Sequence, residues 1–203
     1  MKVGVVVLLA VAALASSGCS EAKRSAAASR DCPKSWQPGW QKLADRIHAP
    51  VYCPTWMPDP LDGRIGGQWT DIDSVSKRDR SYLISFLYHE PQTGDVHVNF
   101  RGYPGRKAIP TCSNTEFVNG KPQFSHLPCF ADPHTPVRVN GLDATLYTVN
   151  QGADQWHVLY AWHHDGSLYT VSQHVTAPLT YTQVAVDLRH VLRGLVLVEP
   201  QNA

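Results

Sequence analysis

The chain has 203 residues with 18 basic, 17 acidic and 10 histidine side chains, giving a formal net charge of +1 at neutral pH with the imidazoles uncharged. Such a length suits one domain with a sizeable core. The balance of charge, with no basic cluster larger than Lys77-Arg78 and Arg80 interrupted by Asp79, argues against the phosphate-contacting surface that nucleic acid requires.

The N-terminal segment sets the compartment. Met1-Lys2 is a short positive start, residues 3 to 15 are apolar apart from Gly4, and Ser16-Ser17-Gly18-Cys19 follows with small residues. That is the layout of a secretory signal peptide. A membrane-spanning helix needs about 20 apolar residues, and this run turns polar at Ser20-Glu21 before reaching that length. Gly18-Cys19 resembles the cleavage box of bacterial lipoprotein signals, in which small residues precede the cysteine that receives the lipid. The aliphatic residue usual three places before that cysteine is here Ser16, with Leu14 two residues earlier.

The resemblance implies a signal over residues 1 to 18, lipidation of Cys19 and anchoring at the extracytoplasmic face of the cell membrane. Each buried acyl methylene would contribute about 0.8 kcal/mol to that anchoring. The alternative is an ordinary secretory signal cut nearby. Residues 19 to 31, rich in Ala, Ser and charge, read as a flexible tether. Residues 32 to 203 read as a single globular extracytoplasmic domain.

In an oxidising space the four remaining cysteines, Cys32, Cys53, Cys112 and Cys129, read as two disulfides, for which three connectivities exist. The sequence neighbours are favoured, Cys32 with Cys53 and Cys112 with Cys129, because each pair brackets a Pro-rich irregular stretch. Loops of roughly 15 to 20 residues give about 3 kcal/mol per bond if chain entropy dominates. Zinc is the alternative, but no Cys-x-x-Cys spacing supports it.

Taken in chain order, a first helix is expected over residues 38 to 47, with Trp36, Trp40, Leu43 and Ile47 on one face. Pro50, Pro54, Pro58 and Pro60 then forbid helix, so residues 51 to 57 must run extended. A weakly patterned strand is placed over 69 to 75. Residues 82 to 89 are apolar on both alternating sets, which suggests a covered strand. Val96, Val98 and Phe100 alternate with polar residues, as in a strand with one wet face, and Gln92-Thr93-Gly94-Asp95 is the turn between the two.

Asn140-Gly141 and Asp165-Gly166 mark two-residue hairpin turns. The first sets Arg138 against Asp143. The second pairs Trp162 with Tyr169 and Tyr160 with Val171, so that Trp156, Val158, Tyr160 and Trp162 share a face with Tyr169 and Val171. Thr180 and Gln183 form a capping-box pattern, and Val184, Leu188, Val191 and Leu192 a stripe that stops at Gly194. A tail closes the chain. The fold class is therefore α+β: a twisted antiparallel meander of about six or seven strands, with an N-terminal and a C-terminal helix packed on one face.

Several of these segments together carry a family resemblance. Val139-Asn140-Gly141-Leu142-Asp143-Ala144, residues 159 to 162, Gly166-Ser167-Leu168-Tyr169-Thr170-Val171 and the helix ending near Leu192 are similar to extracytoplasmic domains of unknown biochemical function. Such domains occur in Gram-positive lipoproteins and beside anti-sigma factors. The segment Val51-Tyr52-Cys53-Pro54-Thr55-Trp56-Met57-Pro58 looks like the proline-flanked entry of those domains. The resemblance spans about two thirds of the mature chain. It implies a sensing, chaperone or ligand-binding role at the envelope and transfers no functional residues.

No nucleophile elbow, phosphate-cradling loop, zinc-peptidase motif or Ser-x-x-Lys set is present, so no catalytic residue and no cofactor are assigned. Asp71 and Asp73 share a face if their stretch is a strand, and a solvated edge is their expected role. In the hairpin register His157 faces His174, with His163 on the same side. These histidines are either polar residues on an outer face or an imidazole pair at metal-binding reach.

Trp156, Tyr160, Trp162 and Tyr169 are either the sheet side of the core or the lining of a ligand pocket. The long segment 102 to 136 is expected to act as a lid, with Phe117, Phe124, Phe130 and His126 laid over the sheet. The leading expectation is a membrane-anchored, non-catalytic lipoprotein that binds or senses an apolar or peptide-like ligand. The alternative is a metal-handling lipoprotein using surface histidines.

Overall fold

The computed structural model describes residues 31–61, 74–90, 94–149 and 156–201. The first element is α1, Gln37–Ile47, which enters through Pro38 in its first turn and ends at His48 in the left-handed conformation. Its buried side is Trp40, Leu43, Ala44 and Ile47, the stripe that a 3.6-residue period sets against a core. Trp36, immediately before the helix, meets Phe86 with ring centroids 5.4 Å apart, and Trp40 meets Phe100 edge-on at 5.8 Å.

Among the described residues ten strands follow: β1 (Val51–Pro54), β2 (Tyr82–Glu90), β3 (Gly94–Tyr103), β4 (Thr111–Val118), β5 (Lys121–Pro128), β6 (Ala131–Val139), β7 (Leu142–Val149), β8 (His157–His164), β9 (Ser167–His174) and, last, β10 (Leu195–Val198). The helix α2, Tyr181–Arg193, lies between β9 and β10. The main sheet is antiparallel, with strand order β2-β3-β9-β8-β7-β6. The fold is α+β, as its sequence implies. Residues 69 to 73, which include Asp71 and Asp73, and turn residues 91 to 93 lie outside the described residues.

Both helices share a single hydrophobic cluster with one face of this sheet, where Phe100, Tyr160, Trp162, Tyr169 and Val171 meet Trp40 of α1 and Leu188 of α2. Hydroxyl and amide chemistry sets the start of α2. Thr180 accepts from the Gln183 backbone N–H while the Gln183 side chain accepts from the Thr180 N–H, so two otherwise unpaired donors are satisfied. Positive φ at Asn140, Gly141, Asp165 and Gly166 gives both expected hairpins the turn that matches strand twist. Arg138 and Asp143 face each other across the first, 3.6 Å apart and largely exposed.

Two expectations need correction. The chain does not end in a tail after α2, because β10 runs antiparallel to β1 from Val51↔Val198 to Pro54↔Leu195. Segment 102–136 is not a lid either. It contains the hairpin β4–β5, turned at Asn119-Gly120, which keeps nearly all its side chains in solvent. Of the proposed lid residues only Phe130 is buried, in a small cluster with Leu159, Ala161 and Leu168 on the sheet's second face. Phe117 and Phe124 are 75% and 79% exposed, because their strands have no element beneath them on that side.

Both sequence-neighbour disulfides form, Cys32–Cys53 and Cys112–Cys129. The first is buried in the main core and the second closes the base of the β4–β5 hairpin.

One close approach in the sheet fixes a residue type. Tyr82 pairs with Gly102, and its ring lies over that glycine so closely that a Cβ there would clash with the tyrosine Cε1. An aromatic ring covering a strand glycine replaces the missing side chain. Gly102→Ala is expected to lose about 2 kcal/mol or more by overpacking, read as a lower urea midpoint. Adding Tyr82→Leu should return part of the loss, and an unshifted midpoint for Gly102→Ala alone would contradict the packing.

Candidate functional site

Four aromatic residues were candidates for a ligand surface, and the structure separates them. Tyr160, Trp162 and Tyr169 are at most 2% exposed and belong to the main core. Trp162 packs against Tyr169 at 6.0 Å, and both meet Tyr52 from β1. These three therefore hold the sheet to β1 and the helices instead of lining a pocket.

The Tyr169 hydroxyl donates to the Pro50 carbonyl at 3.0 Å. Burial raises its pKa to about 12, and burial likewise raises Tyr52 and, well above the ordinary value, Tyr82. A phenol that ionises near 10 when unfolded but later when folded stabilises the fold fully below pH 10 and progressively less above it. Unfolding free energy should therefore drop between about pH 10 and pH 12, with phenolate absorbance lagging behind that of free tyrosine. Tyr169→Phe should flatten the drop, and an unchanged slope would refute the assignment.

Trp156 is the exception among the four. Extending the strand alternation backwards puts it on the core face, but its φ of 63° lies in the left-handed region and its side chain is 69% exposed. For a bulky non-glycine residue that backbone is uncommon and costs free energy that the surroundings must offset. Its carbonyl accepts from the Val175 N–H at 2.9 Å, which fixes the reversed position.

The exposed indole forms one side of a cavity of about 260 Å³, lined also by Thr148, Val149, His157, Val175 and Tyr181. The last turn of β7, the start of β8, the exit of β9 and the first residue of α2 thus converge on one apolar hollow with two aromatic rims. A wider cleft of about 440 Å³ runs between α1 and β10, bounded by Lys34, Gln41 and Glu199. Gln41 on one of its sides donates to the Glu199 carbonyl on the other at 2.9 Å. We regard the smaller hollow as the better candidate, because exposed aromatics at a strained backbone converge there.

His157 belongs to that wall and also to a histidine cluster. It faces His174 across β8 and β9, as the register implies, and is 5% exposed. The sequence gives no sign of the third member. His97 on β3 reaches across β9, its Nε2 lying 2.8 Å from Nε2 of His157, and the three ring centroids are 4.6 to 5.2 Å apart. His174 Nδ1 is 3.1 Å from the Asp95 carbonyl. Counting along one hairpin cannot reveal His97, because the β3–β9 pairing joins residues far apart in the chain.

A nitrogen pair at 2.8 Å is a direct hydrogen bond, not two ligands spaced around an ion. Among the described residues no group of three or more His, Cys, Asp or Glu is arranged to hold a metal. His163 lies away from the cluster and contacts the Lys107 carbonyl at 2.9 Å.

The His97–His157 bond requires one ring to offer an unprotonated nitrogen. It is therefore lost once both rings are protonated. A double-mutant cycle of His97→Phe and His157→Phe should show about 1 kcal/mol of coupling at about pH 8. That coupling should vanish on acidification, and a value independent of pH would dismiss the pair.

Comparison of this chain with known protein families, with curated protein sequences and with solved structures finds no match.

Proposed function

We propose that this protein is a membrane-anchored, non-catalytic lipoprotein of the cell envelope, whose domain binds or senses an apolar or peptide-like ligand. The observation that carries the reading is the apolar hollow beside Trp156, where an aromatic side chain is held outward at an unfavourable φ. Its volume falls just short of the roughly 300–1,000 Å³ common for small-molecule pockets. That size suits one aromatic or aliphatic group, such as a peptide side chain or an acyl end, better than a whole cofactor.

The anchoring half of the proposal rests on residues 1 to 19. Two disulfides in the folded chain support an oxidising, extracytoplasmic address. Among the described residues no helix is long and apolar enough to cross a membrane. Mass spectrometry of the mature product should find an N-terminal Cys19 bearing acyl chains, and an unmodified Cys19 would overturn the anchor.

Ligand binding is tested with the apolar fluorophore N-phenyl-1-naphthylamine. The full chain should bind it saturably. Trp156→Ala should weaken binding at least about tenfold, equivalent to 1.4 kcal/mol, with the thermal midpoint unchanged because the indole is exposed. Absence of saturable binding, or binding indifferent to this substitution, would discard the hollow as a site.

A further inference from the structure

The β4–β5 hairpin has no role in the core or in the hollow. Its strands pair from Thr111↔Pro128 to Val118↔Lys121 and span roughly 25 Å at about 3.3 Å per residue. Only Cys112, Asn114 and Leu127, near the base, are half-buried, and all its other side chains are exposed. The two sides of the ribbon differ sharply. The register puts Ser113, Thr115, Phe117, Pro122, Phe124 and His126 on one side, the side facing away from the half-buried residues. Glu116 and Lys121 fall on the other. The outward side therefore carries two exposed phenyl rings, diagonal neighbours near the tip, and neither a carboxylate nor an ammonium group.

Exposed aromatic pairs of this kind mark contact surfaces. Area decides which kind. A phenylalanine buries about 150–250 Å², so two supply at most about 500 Å², and the rest of the roughly 800 Å² per partner found in stable protein interfaces would have to come from Ser113, Thr115, Pro122 and His126, most of them polar. A bilayer asks for no complementary partner surface: uncharged aromatic side chains enter the region between head groups and acyl chains individually. A ribbon without carboxylates on its leading side also meets no repulsion from anionic lipid.

We propose that the β4–β5 hairpin is a membrane-contacting arm, inserting Phe117 and Phe124 into the interface of a lipid bilayer. The disulfide at its base keeps the ribbon from splaying as the tip enters. This goes beyond lipid anchoring at Cys19, since it gives the domain a second and orienting point of attachment, and it can hold whether or not Cys19 is acylated.

The experiment uses the full chain with all 5 phenylalanines replaced by 4-fluorophenylalanine, bound to phosphatidylcholine bicelles containing phosphatidylglycerol. Fluorine resonances of positions 117 and 124 are assigned from Phe117→Leu and Phe124→Leu, and the buried Phe86, Phe100 and Phe130 serve as internal controls. A nitroxide carried on the lipid chains should broaden the 117 and 124 signals and leave the three controls sharp. A water-soluble nitroxide should do so only before bicelles are added. Signals at 117 and 124 that respond to the soluble agent alone, or to neither agent because a protein surface covers them, would overturn the proposal. Mass spectrometry of Cys19 judges the anchor separately, so failure of one reading is distinguishable from failure of the other.

Discussion

Trp40→Ala is expected to cost about 4 kcal/mol of folding stability, a large share of the roughly 5–15 kcal/mol that holds a domain of this kind together. Trp40 is fully buried and is the point at which α1 meets the sheet, edge-on to Phe100. Truncation removes most of an indole from a cluster that also holds Leu43 and Leu188, and strands paired across the sheet cannot close over the void. Urea unfolding should show a midpoint shift with an unchanged slope, whereas Trp40→Phe should retain most of the stability. A loss under about 1 kcal/mol would mean that α1 does not anchor the core.

The second large effect is expected from the double replacement Cys32→Ala with Cys53→Ala. The bond spans 21 residues, for which chain entropy alone gives about 3 kcal/mol. Both sulfurs also sit in the main core, at 8% and 0% exposure, so the change adds a packing loss. The other bond spans a similar 17 residues. It encloses a ribbon with its own ladder and little burial, so Cys112→Ala with Cys129→Ala should act more locally. Hydrogen exchange should rise across residues 111 to 128, while the global transition moves less than in the first pair. Equal shifts in global stability for the two pairs would contradict this division.

What the sequence made legible is local. The Trp36–Ile47 stripe, the Thr180–Gln183 cap and the Asn140-Gly141 and Asp165-Gly166 turns each lie within a dozen residues, where helical period and turn chemistry act directly. The pairings Arg138 with Asp143 and His157 with His174 followed by counting outward from a turn. β10 escaped because its apolar run of four residues is too short to show a period, and its partner β1 is far away in the chain. The β4–β5 hairpin did carry an Asn-Gly signal at Asn119-Gly120. Pro122 and Pro128 obscured it, together with strands whose two sides are both wet and so show no alternation. Strand alternation fails to place Trp156 because β8 starts one residue later, where the backbone leaves the left-handed region.

The candidate site was legible only in part, for a related reason. Trp156 and His157 were singled out, but the hollow also needs Thr148, Val149, Val175 and Tyr181, supplied by three other segments. A concave surface made where strand ends and a helix start converge has no signature in any single stretch of sequence.

The Cys32–Cys53 bond also determines how the domain would respond to mechanical load. Tension arriving through the backbone at Asp31 passes from Cys32 across the sulfur bridge directly to Cys53. The helix α1, enclosed in that covalent loop, is bypassed and carries none of it. The first structure to yield under a pull should then be the four-residue β1–β10 ladder. In reducing conditions the order should reverse, with α1 peeling away before the strands part.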